Sequence, residues 1–161
     1  MLNTAWRWVR QHPAFLAVGA LLLLADRASK VWALMDLSVH GPVKIARYLW
    51  LNYVENTGAA FGMFERGNTL LIGVMLLVMG YLVYSWKDLV RLGRFAQWGG
   101  ILILTGAIGN LYDRLTLGFV VDFIDLRVWP VFNVADSCIT VGAVLGGLCL
   151  LSSPHTQQEK L

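Results

Sequence analysis

Charge is scarce in this chain. Only 14% of its 161 residues are Asp, Glu, Lys or Arg, while 57% are hydrophobic and the mean hydropathy is +0.61. That leaves too little polar surface for a water-soluble globule of this size, so the composition defines a single membrane domain spanning residues 1–161. Cysteine is equally scarce: Cys138 and Cys149 are eleven positions apart, about 16 Å along a helix, too far to bridge, and read as packing residues. Histidine is confined to His12, His40 and His155, in tails or a loop, which leaves a Ser-His pair without support. Neither HExxH nor CxxC occurs, so zinc chemistry is not expected and no cofactor is implied. The formal charge of +3 is scattered, with no basic stripe carrying interleaved aromatics, which excludes nucleic acid as a partner. No internal repeat or low-complexity tract is visible.

Long apolar runs are what the chain has in abundance. A crossing of about 30 Å of hydrocarbon takes about 17–25 mostly apolar residues, and four such spans fall near 13–35, 69–86, 96–116 and 131–151. The expected fold is an all-α integral membrane protein of four transmembrane helices, with a small β element on the outer face and a short amphipathic segment. Tyr48 to Val54 is the strand-prone stretch, and the glycine-containing run Asn56 to Gly62 is a turn. Residues 152–161 read as a disordered polar tail. The first span competes with a signal peptide, since Arg7 and Arg10 precede a short apolar core. No small-x-small cleavage site follows, and the segment is kept as an uncleaved helix. Lys87, Arg91 and Arg94 put the loop between the second and third spans in the cytoplasm, and both termini with it. Trp32, Trp86, Trp98 and Trp129 lie near span ends and are expected to anchor at the membrane interface. Gly99, Gly100, Gly106 and Gly109 in the third span, with Gly142 and Gly146 in the fourth, suit close helix approach.

The few charges inside these spans carry the chemistry. An ionised Asp in hydrocarbon costs about 2.5–3.5 kcal/mol on insertion scales, so each one needs a partner or a function. Asp26 and Lys30 are spaced i, i+4 and neutralise each other on one helix face. Asn110, Asp113 and Arg114 share one face at the end of the third span, as a salt-bridged cap or as groups that orient a peptide, carbonyl or headgroup. Asp122 has the apolar flanks Val120, Val121, Phe123 and Ile124, which favour a raised pKa. Asp136 lies at the start of the fourth span. Asp122 and Asp136 occupy the same outer end, where two neighbouring carboxylates share one proton, activate a water and protonate a scissile carbonyl. Asp113 competes with Asp122 for the second acid's role. Three other readings stay open: a Ser29–Lys30 dyad, a proton- or ion-coupled transporter lined by these charges, and a headgroup transferase holding Mg²⁺ on Asp122 and Asp125.

Five motifs in order, Asp26-xxx-Lys30, Asn56-Thr57-Gly58-Ala59-Ala60-Phe61, Gly109-Asn110-Leu111-Tyr112-Asp113-Arg114, Val120-Val121-Asp122-Phe123 and Phe132-Asn133-Val134-Ala135-Asp136-Ser137, make the chain resemble bacterial lipoprotein signal peptidase, or signal peptidase II. The resemblance covers nearly the whole chain. It implies an aspartic endopeptidase at the outer face of the bacterial cytoplasmic (inner) membrane. This enzyme cuts diacylglyceryl-modified prolipoproteins N-terminal to the lipidated Cys, without metal or organic cofactor. It further implies Asp122 and Asp136 as catalytic pair, Asn56, Gly58, Asn110, Arg114 and Asn133 as substrate-site residues, and Asp26, Lys30 and Asp113 as their polar support. The implied partners are lipid-modified prolipoproteins, membrane lipids and globomycin-type inhibitors, bound by a monomer. Two departures stand out. Arg27 occupies a position where the family commonly has Gln, and the link from Asp122 to Asp136 is short, which leaves less chain for a lid. The segment around Glu55 to Arg66 is the remaining candidate cover, on account of Gly58, Gly62 and Gly67.

Overall fold

A computed structural model of the chain describes residues 12–58 and 67–152. Arg7, Arg10, most of the candidate cover and the polar tail after Ser152 lie outside the described residues. Helix α1 (Pro13–Trp32) opens on proline, whose missing N–H is not needed at a first helical position. It continues through a π-helical turn, Ala33–Leu37, and a last turn, Ser38–His40, closed by Gly41 at φ 83°. Helices α2 (Gly67–Tyr84), α3 (Trp86–Leu92), α4 (Arg94–Thr116) and α5 (Val134–Ser152) follow. The strands β1 (Val43–Ala46), β2 (Leu49–Asn56) and β3 (Val120–Asp125) form one antiparallel sheet in the order β1-β2-β3. The third strand is a finding, since the sequence pattern placed strand character only around Tyr48 to Val54.

Four helices coincide with the expected spans. Two of them, α2 and α5, are long and apolar enough to cross a membrane by length and composition. The other two have the length but carry charge: Asp26, Arg27 and Lys30 on α1, and Arg94, Asp113 and Arg114 on α4. Along α2, Leu70, Val74, Leu77, Tyr81 and Tyr84 form an exposed stripe at helical spacing, a surface that suits lipid better than water.

The α4–α5 contact is the most extensive in the molecule, and glycines make it possible. A methyl on Gly99 would sit 2.8 Å from the Gly142 carbonyl oxygen, and one on Gly142 2.7 Å from that of Gly99. Gly106 abuts the Ala135 carbonyl, and a methyl on Gly109 would meet the Asp26 carboxylate at 2.6 Å. Small residues therefore bring α1 and α4 against the first turn of α5. The tryptophans divide. Trp32 and Trp129 are exposed as expected of interfacial anchors. Trp86 is buried, however, and Trp98 stacks on Phe15 with ring centroids 4.0 Å apart, so these two indoles fill the packing between α1, α3 and α4 instead. Cys138 and Cys149 are both free thiols.

Candidate active site

Strand alternation delivers Asp122. Val121 and Phe123 enter a buried cluster with Ala33 and Leu37, so the side chain between them projects from the opposite face of β3. The neighbouring strand is brought into phase by a bulge: Leu51 pairs with Ile124, but Val54 pairs with Asp122 and Asn56 with Val120. Without the extra residue in β2, Glu55 would face Val120 and Asn56 would turn to the other side. With it, Asn56 is the diagonal neighbour of Asp122, and its Nδ2 donates to Asp122 Oδ2 at 2.8 Å. The Gly58 N–H in turn donates to Asn56 Oδ1 at 2.9 Å, which fixes the amide with its nitrogen toward the acid. Gly58 has φ 82°, and a methyl there would come within 2.5 Å of Leu71, so only glycine fits.

Asp136 is delivered by a cap. After β3 the chain turns back at once, with Phe132 bonded to Ile124 in both directions at 2.8 and 3.1 Å. This places Asn133 at the N-cap of α5. Its Oδ1 accepts the Asp136 N–H at 2.8 Å, and Asp136 Oδ2 accepts the Asn133 N–H at 3.3 Å. That reciprocal pair satisfies two otherwise orphaned donors of the helix start. The remaining Asn133 amide, Nδ2, donates to Asp122 Oδ1 at 2.7 Å. One asparagine therefore holds both carboxylates. Asp122 is 1% exposed, whereas Asp136 is half-buried and faces a cavity of about 440 Å³ walled by Leu126, Trp129, Phe132, Thr140 and Val141. Burial above all, and the Asp136 charge, push the Asp122 carboxyl up to about 6, against the Asn56 and Asn133 hydrogen bonds that favour its ionised form.

Behind the pair lies an ion network that sets the second asparagine. Lys30 is 1% exposed and spends its three N–H donors on Asn110 Oδ1 at 2.8 Å, Asp26 Oδ2 at 2.9 Å and Asp113 Oδ2 at 3.1 Å. An ammonium cannot accept, so Asn110 must turn its oxygen to Lys30 and its Nδ2 to Asp136 Oδ1, at 2.7 Å. Asp26 also accepts the Ala135 N–H at 2.9 Å, which caps α5 from another helix. Asp113 is fully buried and receives Arg27 at 2.6 Å and the Val121 N–H at 3.3 Å besides Lys30. Its two oxygens are committed to cations and backbone. Arg27, the departure noted above, is thus the second counter-ion of Asp113, and it lies 4.8 Å over the Tyr112 ring.

Of the ten residues that the family resemblance assigns to the site, all except Arg114 belong to this one connected network. Arg114 is buried nearby, within electrostatic reach of Asp122, Asp136 and Asp113. It is clamped by a residue the sequence reading missed: Arg114 Nη1 donates to Asn68 Oδ1 at 3.1 Å, and Asn68 Nδ2 donates to the Arg114 carbonyl at 3.2 Å. The only cue to Asn68 was a polar residue at the start of an otherwise apolar helix. Ser29 bonds back to the Ala25 and Asp26 carbonyls on the accessible side of α1 while Lys30 is buried, so the two do not meet as a dyad. Asp125 is held by Arg127 at 3.3 Å and lies three residues from Asp122 along β3, on the opposite face.

In class, the architecture is that of a helical bacterial membrane enzyme. Two solved structures of bacterial membrane enzymes each match with a TM-score of 0.80, at 28% and 27% identity, covering 88% and 92% of this chain and 94% of each of theirs. The particular family follows from the sequence: the signal peptidase II family model matches residues 18–152, and the chain belongs to that family of proteases. Among its relatives, the lipoprotein signal peptidase of Thermodesulfovibrio yellowstonii is 47% identical over 131 residues, which cover 78% of this chain and 86% of the relative. That of Clostridioides difficile is 40% identical over 84% of this chain and 92% of the relative.

Proposed function

We propose that the chain is an intramembrane aspartic endopeptidase that removes the signal peptide from diacylglyceryl-modified prolipoproteins, cutting N-terminal to the lipidated Cys. The observation that carries this is the pair of carboxylates hung on one asparagine, Asp122 by its side-chain amide and Asp136 by its helix cap. In the active form the pair holds a single proton. The ionised member takes a proton from a water, whose oxygen attacks the scissile carbonyl carbon, and the protonated member donates to the carbonyl oxygen; the diol then collapses, the C–N bond breaks, and the acid that took the water's proton passes it to the departing amine while the other takes one back from the diol hydroxyl. Asn56, Asn110 and Asn133 orient the acids, and Gly58 orients Asn56. Arg114, buried beside them, is suited to the peptide carbonyl or the new carboxylate. No metal or organic cofactor enters this scheme.

In this reading α1, α2, α4 and α5 all span the cytoplasmic membrane, the charges of α1 and α4 being neutralised between helices. Lys87, Arg91 and Arg94 keep the α3 side and both termini in the cytoplasm, and the sheet with the paired acids faces outward. The enzyme works as a monomer among lipids, and globomycin-type inhibitors occupy the groove beside the acids. The test is a gel-mobility assay of the purified protein on lipid-modified prolipoprotein with EDTA present. Undiminished cleavage is expected. Cleavage that requires added divalent metal would count against the mechanism, and absence of cleavage accompanied by proton flux in vesicles would replace the reading by a transporter.

The raised Asp122 pKa adds a pH dependence with a definite sign. The shared proton is lost as pH rises through the pair's upper apparent pKa, to which Asp122 at about 6 contributes. Asn56 stabilises the ionised carboxylate, so Asn56→Ala raises that value further. The alkaline limb of kcat should move upward by about one pH unit, the worth of one hydrogen bond to a charged group. A pH-rate profile checks it; a limb that stays put or moves downward contradicts the role given to Asn56.

A further inference from the structure

Away from the paired acids, the sheet carries cations laid on aromatic rings. Lys44 Nζ lies 5.7 Å from the Trp50 ring centre and the Arg127 guanidinium 5.1 Å from the same ring, while the Arg47 guanidinium lies 5.2 Å from the ring of Tyr48. Lys44 pairs with Trp50 across β1 and β2, and Trp50 pairs with Asp125 across β2 and β3, so the row crosses all three strands. Arg127 reaches the indole from a left-handed backbone, φ 65°, the one non-glycine positive φ among the described residues. Its N–H on Asp125 Oδ1 at 2.7 Å holds that turn. Asp125 offsets one cation. Among the described residues neither Lys44 nor Arg47 meets an acid, so the patch keeps a positive excess.

Charge alone would suit any anion, but the surroundings are apolar. Ile45, Tyr48 and Val128, the chain neighbours of Lys44, Arg47 and Arg127, are exposed beside these cations. Exposed apolar side chains interleaved with indoles and long cations are the pattern of a headgroup-level surface. Free phosphate offers nothing to that apolar rim, and a choline headgroup would bring a cation to a cationic patch. We propose that Lys44, Arg47 and Arg127, laid on Trp50 and Tyr48, form a binding site for the phosphate of an anionic phospholipid in the leaflet that the sheet faces. This rests on the reading that the helices span the bilayer, and is independent of the peptidase chemistry. The patch sits at the Asp125 end of β3, whereas Asn56 meets the other end at Val120.

The test uses the full chain in nanodiscs holding equal phosphatidylglycerol and phosphatidylcholine, and reads the relative association of spin-labelled forms of the two lipids. Wild type should prefer phosphatidylglycerol, and the preference should collapse in molar salt. Lys44→Gln and Arg127→Gln should each lower it by about fivefold, the weight of one cation near a membrane surface. Trp50→Leu should lower it as well without any change of charge, an effect that net charge alone does not produce. Full preference in the Lys44→Gln/Arg47→Gln/Arg127→Gln variant overturns the proposal. So does a preference lost only in Lys87→Gln/Arg91→Gln on the opposite side, or one erased by inorganic phosphate. Cleavage assayed in detergent separates the two readings: a lipid preference without signal-peptide cleavage sinks the peptidase alone, and failure to enter nanodiscs sinks the spanning reading together with this site.

Discussion

Asp122→Asn and Asp136→Asn should each lower the cleavage rate by about 10²–10⁴-fold, the usual worth of a positioned acid or base, while the protein stays folded. Asparagine keeps the shape of each side chain and removes only its proton chemistry. The double variant should be little worse than either single one, because the two groups act as a unit. Asp113→Asn is the decisive contrast. Asp113 is buried against Lys30 at 3.1 Å and Arg27 at 2.6 Å, and losing one partner of a buried ion pair costs about 3–5 kcal/mol. The expected deficit is in the amount and melting temperature of folded protein, with the surviving fraction cleaving at close to the wild-type rate. Initial rates normalised to folded enzyme distinguish these cases. A stable but inactive Asp113→Asn, beside an active Asp122→Asn, would reverse the assignment.

That contrast shows where sequence spacing carries information and where it stops. The i, i+4 spacing of Asp26 and Lys30 is realised as a 2.9 Å ion pair. The shared face of Asn110, Asp113 and Arg114 is realised as three buried side chains on α4. Helical periodicity states which residues look the same way, and it did so correctly. It does not state what they look at. Lys30 meets Asn110 across eighty positions and Asp26 caps a helix 109 positions away, contacts set by the glycine seams of α4 and α5. From sequence alone, Asp113 and Asp122 therefore remained competitors for the second acid's role, and the ion pairs of Asp113 with Arg27 and Lys30 support the proposal that Asp122 takes it.

The sheet was the least legible part, for a different reason. β3 is buried on both faces and reads Val-Val-Asp-Phe-Ile-Asp, with no clean alternation of apolar and polar residues to announce a strand. The bulge that turns Asn56 toward Asp122 leaves no mark in the composition of β2 either. Trp86 and Trp98 failed as interfacial anchors because proximity to a span end does not distinguish an indole facing headgroups from one filling a helix junction. The cap on α5 was legible in principle: Asn133-Val134-Ala135-Asp136 has the spacing of a capping box. In this chain the cap residues and the acid-orienting residues are the same side chains, so the local rule for starting a helix also builds the site.

Lys30 is where that coupling should be most costly to disturb. In Lys30→Met, the Asp26 carboxylate keeps only the Ala135 N–H, and Asp113 keeps Arg27. An uncompensated buried carboxylate should destabilise the fold by about 3–5 kcal/mol. Asn110 also loses the shorter of the two donors on its oxygen, Lys30 at 2.8 Å, and keeps Asn133 Nδ2 at 3.2 Å. With its oxygen turned toward Asp136, two acceptors would face each other and the 2.7 Å contact that orients the acid would be lost, which lowers the cleavage rate of whatever enzyme remains folded. Lys30→Arg should not rescue. The pocket leaves the lysine side chain no exposure, and a planar guanidinium does not reproduce an ammonium's three divergent donors. Adding Asp26→Asn to Lys30→Met should recover part of the loss, because the double variant no longer buries an unpaired charge on α1. Thermal denaturation of the four proteins in one detergent completes the cycle. A double variant no more stable than Lys30→Met would mean that the ion pair acts through Asp113 alone, and that the trans cap on α5 contributes little.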